Sequence, residues 1–250
     1  MNFRLIDTGY LDAYTNMGVD EAIMTMVSKG KIPPTLRFFG WKPSAISIGY
    51  FQALEKEVDL EKCKEFGVDY VRRITGGGAV FHDKEITYSF CIPEKDVPKD
   101  IMQSYDLICG AIIKGLRTIG IDAKYAPLND IVVNGKKISG NAQTRRMGVV
   151  LQHGTILIDV DVEKMFSLLK VPDEKIKDKM IANVKERLTS LNKETGQNIN
   201  YNDVAIALRK GFEEQFNVQF AESELTQEEI VLANFIKKEK FATEEWNHKR

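Results

Sequence analysis

Cysteine is scarce in this chain: Cys63, Cys91 and Cys109 are the three among 250 residues. They are odd in number and widely spaced, which excludes a disulfide framework and points to a reducing, cytoplasmic setting. None of them pairs with the three histidines at metal-ligand spacing, so a zinc site is not expected. No charge of one sign dominates. The 35 Lys and Arg against 36 Asp and Glu leave a net charge of −1, whereas a general binder of nucleic acid or membrane surfaces usually has a basic bias. No apolar run approaches the roughly 18 residues that a membrane span needs. Met1-Asn2-Phe3-Arg4 leads into acidic and polar residues with no secretory hydrophobic region. There is no internal repeat and no low-complexity linker. What remains is a chain with 43% hydrophobic residues, long enough to bury a sizeable core as one domain over residues 1–250.

The periodicities alternate between helix and strand. Helices are predicted over 16–28 with Thr15 or Asn16 as N-cap, 60–66 ending at Gly67, 100–119 ending at Gly120, 162–169, 202–216 and 226–240. Strands are predicted at 36–39 and 45–49, joined by Gly40-Trp41-Lys42-Pro43 and expected to be neighbours. Further strands are expected at 79–82 and 87–91 around an acidic turn, at 121–124, and at 149–159. Strand pairs joined by tight turns point to an α/β sandwich with mixed, largely antiparallel sheets and packed helices, not to a doubly wound parallel sheet.

Two clusters carry chemistry. In the first, Arg72-Arg73-Ile74-Thr75-Gly76-Gly77-Gly78-Ala79-Val80-Phe81-His82-Asp83, three glycines follow two arginines. Glycine admits positive φ and close approach of a ligand, successive amides can form an anion-binding nest, and arginine forks suit phosphate or carboxylate. The same glycines would also serve a plain hairpin turn. In the second, Asn129-Asp130 enters an Ile-Val-Val strand, Asn134-Gly135 signals a type I′ turn, and Lys136-Lys137-Ile138-Ser139-Gly140 leaves on the return strand. Alternation is expected to put Lys137 and Ser139 on one face and Lys136 and Ile138 on the other, so that one lysine faces a pocket. Both lysines could equally be solvated edge-strand charges.

Together, the first cluster, the Asn129 to Ala142 block and Gln152-His153-Gly154-Thr155-Ile156-Leu157 resemble lipoate–protein ligases and their octanoyltransferase and biotin-ligase relatives. Thr15-Asn16-Met17, Asp20-Glu21-Ala22, Leu36 to Trp41, Ser47 to Gln52 and Lys170-Val171-Pro172 with Lys175-Ile176 are also similar to this family. The resemblance runs from about Asn2 to Arg250 and covers the catalytic domain. It implies the class II synthetase/biotin-ligase type of fold. The layout looks most like a short archaeal-type ligase chain that lacks a C-terminal accessory domain and works with a separate accessory subunit. The resemblance also implies a loop covering an adenylate within 172–192, where Met180 replaces the family's usual glycine.

The implied activity is an ATP-dependent ligation. Lipoate is activated as lipoyl-AMP, with Mg2+, and then passed to a lysine of lipoyl domains of 2-oxoacid dehydrogenases or of the glycine-cleavage H protein. On this reading Lys137 is the catalytic cation between carboxylate and α-phosphate. Arg72, Arg73, the Gly76, Gly77, Gly78, Ala79, Val80 and Phe81 backbone, Asn129 and Gly140 hold the nucleotide and adenylate, and Asp130 binds metal or ribose. Trp41, Ile74, Ile138, Phe51 and Val80 form the acyl slot. His153 lines the pocket or supports Lys137; His82 is structural or catalytic; Asp83 caps a turn. One alternative is an octanoyl or lipoyl transferase acting from an acyl carrier. Octanoyltransferases of the superfamily hold the acyl group on a thiol, which in the branch most similar to this chain lies just upstream of the lysine hairpin. Here that stretch, Asp122 to Pro127, has no cysteine. A non-catalytic binder of acyl-adenylate is the other alternative.

Overall fold

Alternation along the strands decides which face of each is buried. The computed structural model describes residues 3–170 and 177–250. Its strands are β1 (Phe3–Leu11), β2 (Thr35–Trp41), β3 (Ala45–Ile48), β4 (Asp69–Arg72), β5 (Val80–His82), β6 (Glu85–Pro93), β7 (Lys124–Ala126), β8 (Asp130–Val133), β9 (Lys136–Arg146), β10 (Val149–Leu157) and β11 (Phe220–Glu222). The larger sheet has the order β11-β1-β2-β6-β10-β9-β8-β7 and the smaller β4-β3-β5. β1 is parallel to β2 and β11, and β3 to β4; the other pairs are antiparallel. This is the mixed, largely antiparallel α/β sandwich expected from the strand spacing.

On one face of the large sheet Leu36, Phe38, Tyr88 and Phe90 pack against the helices Ile101–Arg117 and Tyr201–Phe216. Fully burying each such side chain contributes roughly 1.5–3 kcal/mol. The intervening residues Phe39, Trp41 and Cys91 face the other way, against the helix Ala13–Ser28. The helix Gln227–Ile236 packs on Ala13–Ser28 and is tied to β1 by a buried bidentate pair, Arg4 to Glu229, at 2.5 and 2.9 Å. The small sheet stands on this second side with its own apolar cluster. No helix among the described residues is long and apolar enough to cross a membrane.

Three local expectations are corrected. β2 and β3 are not neighbours, because both edges of β2 are taken by β1 and β6 and the chain crosses into the small sheet after Trp41. β5 and β6 part between the sheets in the same way. The N-cap of the first long helix is Asp12, whose carboxylate accepts from the Thr15 amide at 2.9 Å, rather than Thr15 or Asn16. Of the expected covering segment at 172–192, residues 172–176 lie outside the described residues. Lys177–Arg187 is a helix, and the turn after it reaches β9, where the Thr189 amide donates to the Lys137 carbonyl at 2.9 Å.

Candidate active site

The triglycine loop leaves β4 and is fastened from inside by Arg73. This guanidinium is buried and donates to Thr75 Oγ1 (3.2 Å), the Ser47 carbonyl and hydroxyl (2.9 and 3.1 Å), and the Gly76 and Gly78 carbonyls (both 2.8 Å). All its partners are neutral, and burial pulls its pKa down to about 10. Gly77 sits at φ 98°, a region closed to most side chains. Arg72 does not reach the site. It is fully buried, and its guanidinium donates to the backbone carbonyls of Gly49, Tyr50, Gln52, Trp246 and Asn247. Neighbouring residues at a strand end point to opposite sides, so one arginine faces the cleft and the other the C-terminal residues.

The lysine hairpin forms as its Asn-Gly turn predicts, with Asn134 at φ 51° and Gly135 at φ 76°. The facing is altered by a β-bulge. Ile131 pairs with Ser139 but Val132 with Lys137, leaving Ile138 as the extra residue. Lys137 therefore shares its side with Gly140, and Ser139 turns inward and is fully buried. Lys137 Nζ lies 2.8 Å from Asp130 Oδ1 and 2.9 Å from where a Cβ on Gly140 would stand. A side chain at 140 would displace the lysine.

Two buried histidines face the cleft. His153 Nε2 is 2.7 Å from Thr75 Oγ1, and Nδ1 is 3.4 Å from Asp20 Oδ2. Burial holds its pKa below the usual value, against the opposing pull of the hydrogen bond it donates to the Asp20 carboxylate. Burial alone would raise Asp20, but His153 and Arg37 (2.8 Å) outweigh it and keep this carboxyl below its ordinary value. Of its two expected places, lining the pocket or supporting Lys137, His153 takes the first, and it is hydrogen-bonded to the loop through Thr75. His82 lies in β5, stacked on Trp41 at 4.0 Å. Its Nε2 is 2.7 Å from Ser47 Oγ and its Nδ1 is 2.6 Å from Glu85 Oε1. Asp83, expected to cap its turn, accepts from Ser44 Oγ at 2.5 Å.

The two clusters meet in a cleft between the sheets that encloses about 170 Å³. Of the expected residues, Trp41, Arg73, Gly77, Gly78, Ala79, Val80, Asn129, Lys137, Gly140 and His153 line it. Ile74 and Ile138 are buried in the hydrophobic cores, Phe51 is 69% exposed, and Phe81 packs in the small-sheet cluster. Gly76 turns its carbonyl to Arg73. Asp130 stands behind Lys137 as its ion-pair partner. No group of three or more His, Cys, Asp or Glu able to hold a metal occurs among the described residues. Met17, Ser47, Thr87, Asn141, Ala142, Gly154 and Thr155 also line the cleft and were not anticipated. All but Thr87 lie in the runs that carry the family resemblance, namely Thr15-Asn16-Met17, the run from Ser47, the Asn129 to Ala142 block and Gln152 to Leu157, and that is the signal that could have found them. The arrangement offers an apolar slot of Met17, Trp41, Ala79, Val80 and Ala142 with one amine, Lys137, on its wall.

No cysteine lines the cleft. All three are buried, and burial raises each thiol: Cys63 to about 11, Cys109 to about 12, and Cys91 well above its ordinary value. All five N–H groups of Arg73 are engaged by carbonyls and hydroxyls, and Arg72 is turned away from the cleft, so neither guanidinium is presented to a nucleotide phosphate there.

Comparison with known proteins bears on the same cleft. The family model described as "Lipoyl protein ligase A/B catalytic domain" matches residues 12–213. "Octanoyltransferase LipM" of Anoxybacillus flavithermus is 40% identical over 99% of this chain and 98% of its own length. That alignment runs to 273 positions against 250 residues here, so the relative carries residues with no counterpart in this chain. Among solved structures, a bi-partite lipoate protein ligase from Thermoplasma acidophilum matches with TM-score 0.90 and 33% identity, over 99% of this chain and 96% of that one. A lipoate-protein ligase A bound with ATP matches with TM-score 0.87 and 32% identity, over 99% of both chains. The octanoyltransferase relative overturns the expectation of an ATP-dependent ligase. The separate accessory subunit was an expectation of the ligase reading and is not supported by this relative.

Proposed function

Because this chain belongs to the lipoyl protein ligase A/B catalytic-domain family, we propose that it is an acyltransferase that moves an octanoyl-type chain from a carrier thioester to a lysine amine of a lipoyl domain. Lipoyl domains of 2-oxoacid dehydrogenases and the glycine-cleavage H protein are the acceptor class. The whole chain, 1–250, acts as one catalytic domain. The observation that carries this reading is the full-length similarity to an octanoyltransferase, together with a cleft that combines an apolar slot with Lys137.

The acyl chain lies against Met17, Trp41, Val80 and Ala142, where burial of each CH2 is worth about 0.8 kcal/mol. Its carbonyl sits near Lys137. As an amine attacks, negative charge grows on the carbonyl oxygen, and a fixed ammonium stabilises it more in a dewatered cleft than in bulk water. Asp130 holds the ammonium in place at 2.8 Å. Arg73 adds positive field from behind the loop without donating to the ligand, since its own donors are already engaged.

The test mixes the protein with an octanoyl-loaded acyl carrier protein and an unmodified lipoyl domain, without ATP, and follows the lipoyl domain by mass spectrometry. Octanoylation of its lysine is the expected result. Modification only from free acid with ATP, or none at all, would overturn the reading.

A further inference from the structure

The cleft contains a second constellation that the reading above does not use. Ser47 of β3 and His82 of β5 both line it. Ser47 Oγ is 2.7 Å from His82 Nε2, and His82 Nδ1 is 2.6 Å from Glu85 Oε1. In the neutral ring, Nδ1–H donates to the carboxylate and Nε2 is left to accept the Ser47 hydroxyl proton. This is the order nucleophile, base and orienting carboxylate. The base is held on a second side by Trp41, stacked at 4.0 Å, whose indole N–H donates to Thr87 Oγ1 at 2.8 Å; that hydroxyl in turn donates to Glu85 Oε1 at 2.8 Å. Arg73 Nη1 donates to Ser47 Oγ at 3.1 Å, placing positive charge where an alkoxide would develop. Glu85 is fully buried, and its Oε2 has no hydrogen-bond partner among the described residues. A buried carboxylate left half-satisfied is costly as a packing element, and this one is directed at a histidine in a cleft.

We propose that Ser47 is an acyl-accepting nucleophile, with His82 as its general base and Glu85 as a positioning residue. The proposal rests on the acyltransferase reading. Ser47 Oγ attacks the thioester carbonyl as its proton passes to His82 Nε2. The C–S bond breaks, and the departing thiolate takes that proton and leaves as the thiol. The acyl group is then an ester on Ser47. The lysine amine of the lipoyl domain attacks this ester, the amine proton passes through His82 back to Ser47 Oγ, and the amide leaves. No oxidant, reductant or nucleotide is needed, and each transfer, thioester to ester to amide, runs downhill. A covalent stage lets two bulky carriers visit one narrow cleft in turn, and the chain has no thiol in the cleft to play that part.

The experiment mixes the protein with octanoyl-loaded acyl carrier protein and no acceptor, then reads intact mass and peptide maps. One octanoyl group on the peptide containing Ser47, stable to neutral hydroxylamine, is expected. Ser47→Ala abolishes it and lowers overall transfer by about 10²-fold or more. Ser47→Cys retains the fold and gives an adduct that neutral hydroxylamine removes, which identifies the position even if the alanine variant folds poorly. Glu85→Gln slows acylation with KM for the thioester unchanged. Normal transfer to the lipoyl domain with no acyl-enzyme, or with Ser47→Ala unimpaired, overturns this inference and leaves the acyltransferase reading standing. Absence of any transfer from the thioester defeats both.

Discussion

Gly49→Ala tests how the triglycine loop is held. Gly49 follows β3, and a Cβ there would stand 1.9 Å from the Gly77 carbonyl oxygen and 2.9 Å from its carbonyl carbon. Ordinary contact begins at 3.4 Å, so the two segments must separate by about 1.5 Å. Both obstructing atoms are backbone, so no rotamer change can absorb the clash. The same junction carries the Tyr50 amide to Thr75 carbonyl bond at 2.9 Å and the Arg73 clasp. Overpacking of this kind costs about 1–3 kcal/mol, which for a chain of this size lowers Tm by roughly 2–12 °C. Displacing the loop by more than an ångström should also cost about 10²-fold in transfer rate. Thermal melts and the octanoyl-transfer assay measure the two effects. Gly76→Ala is the control: its Cβ position is open and its φ lies outside the left-handed region, so it should melt close to the parent. A Gly49→Ala protein with parental Tm and rate would refute the proposed contact between β3 and the loop.

Asp20→Asn removes the partner of the fully buried Arg37 and should cost about 3–5 kcal/mol in urea unfolding, since it strands a buried charge; a loss below about 1 kcal/mol would contradict that burial. The pH dependence follows from His153. Its folded pKa lies below the unfolded value near 6.5, so below that pH the unfolded chain binds a proton that the folded chain resists, and stability falls as pH drops. Asp20, also held low, adds a loss in the same direction once pH falls through the carboxylate range. Urea midpoints at about pH 7.5 and about pH 5.5 should therefore differ, with a flatter dependence in His153→Gln; equal slopes in both proteins would count against the assignment. The three buried thiols should resist a thiol reagent in the native protein and react after denaturation. Prior treatment with iodoacetamide should leave octanoyl transfer intact, whereas inactivation by it would point to a cysteine route.

Local chemistry made part of this molecule readable in its sequence. Asn134-Gly135 specifies its own turn through positive φ, Gly67 ends its helix in the left-handed conformation, and the triglycine run announced a loop. What depends on pairing partners was not readable. The strand segments flanking Lys42-Pro43 look like a hairpin, yet they belong to different sheets because β1 and β6 occupy both edges of β2. Whether Arg72 or Arg73 faces the cleft depends on where the C-terminal residues settle. The bulge at Ile138 reversed the expected partner of Lys137 from Ser139 to Gly140, and nothing within Lys-Lys-Ile-Ser-Gly signals it. Ser47 and His82 are 35 positions apart and meet only through β3–β5 pairing.

The most direct test of the account is the transfer rate of Lys137→Ala from octanoyl-loaded acyl carrier protein to a lipoyl domain. Lys137 is half-exposed, so the variant should fold and melt like the parent, yet transfer should fall by about 10²–10³-fold, the usual cost of removing one preorganised group that stabilises an oxyanion. Undiminished transfer in a folded Lys137→Ala protein would contradict the account.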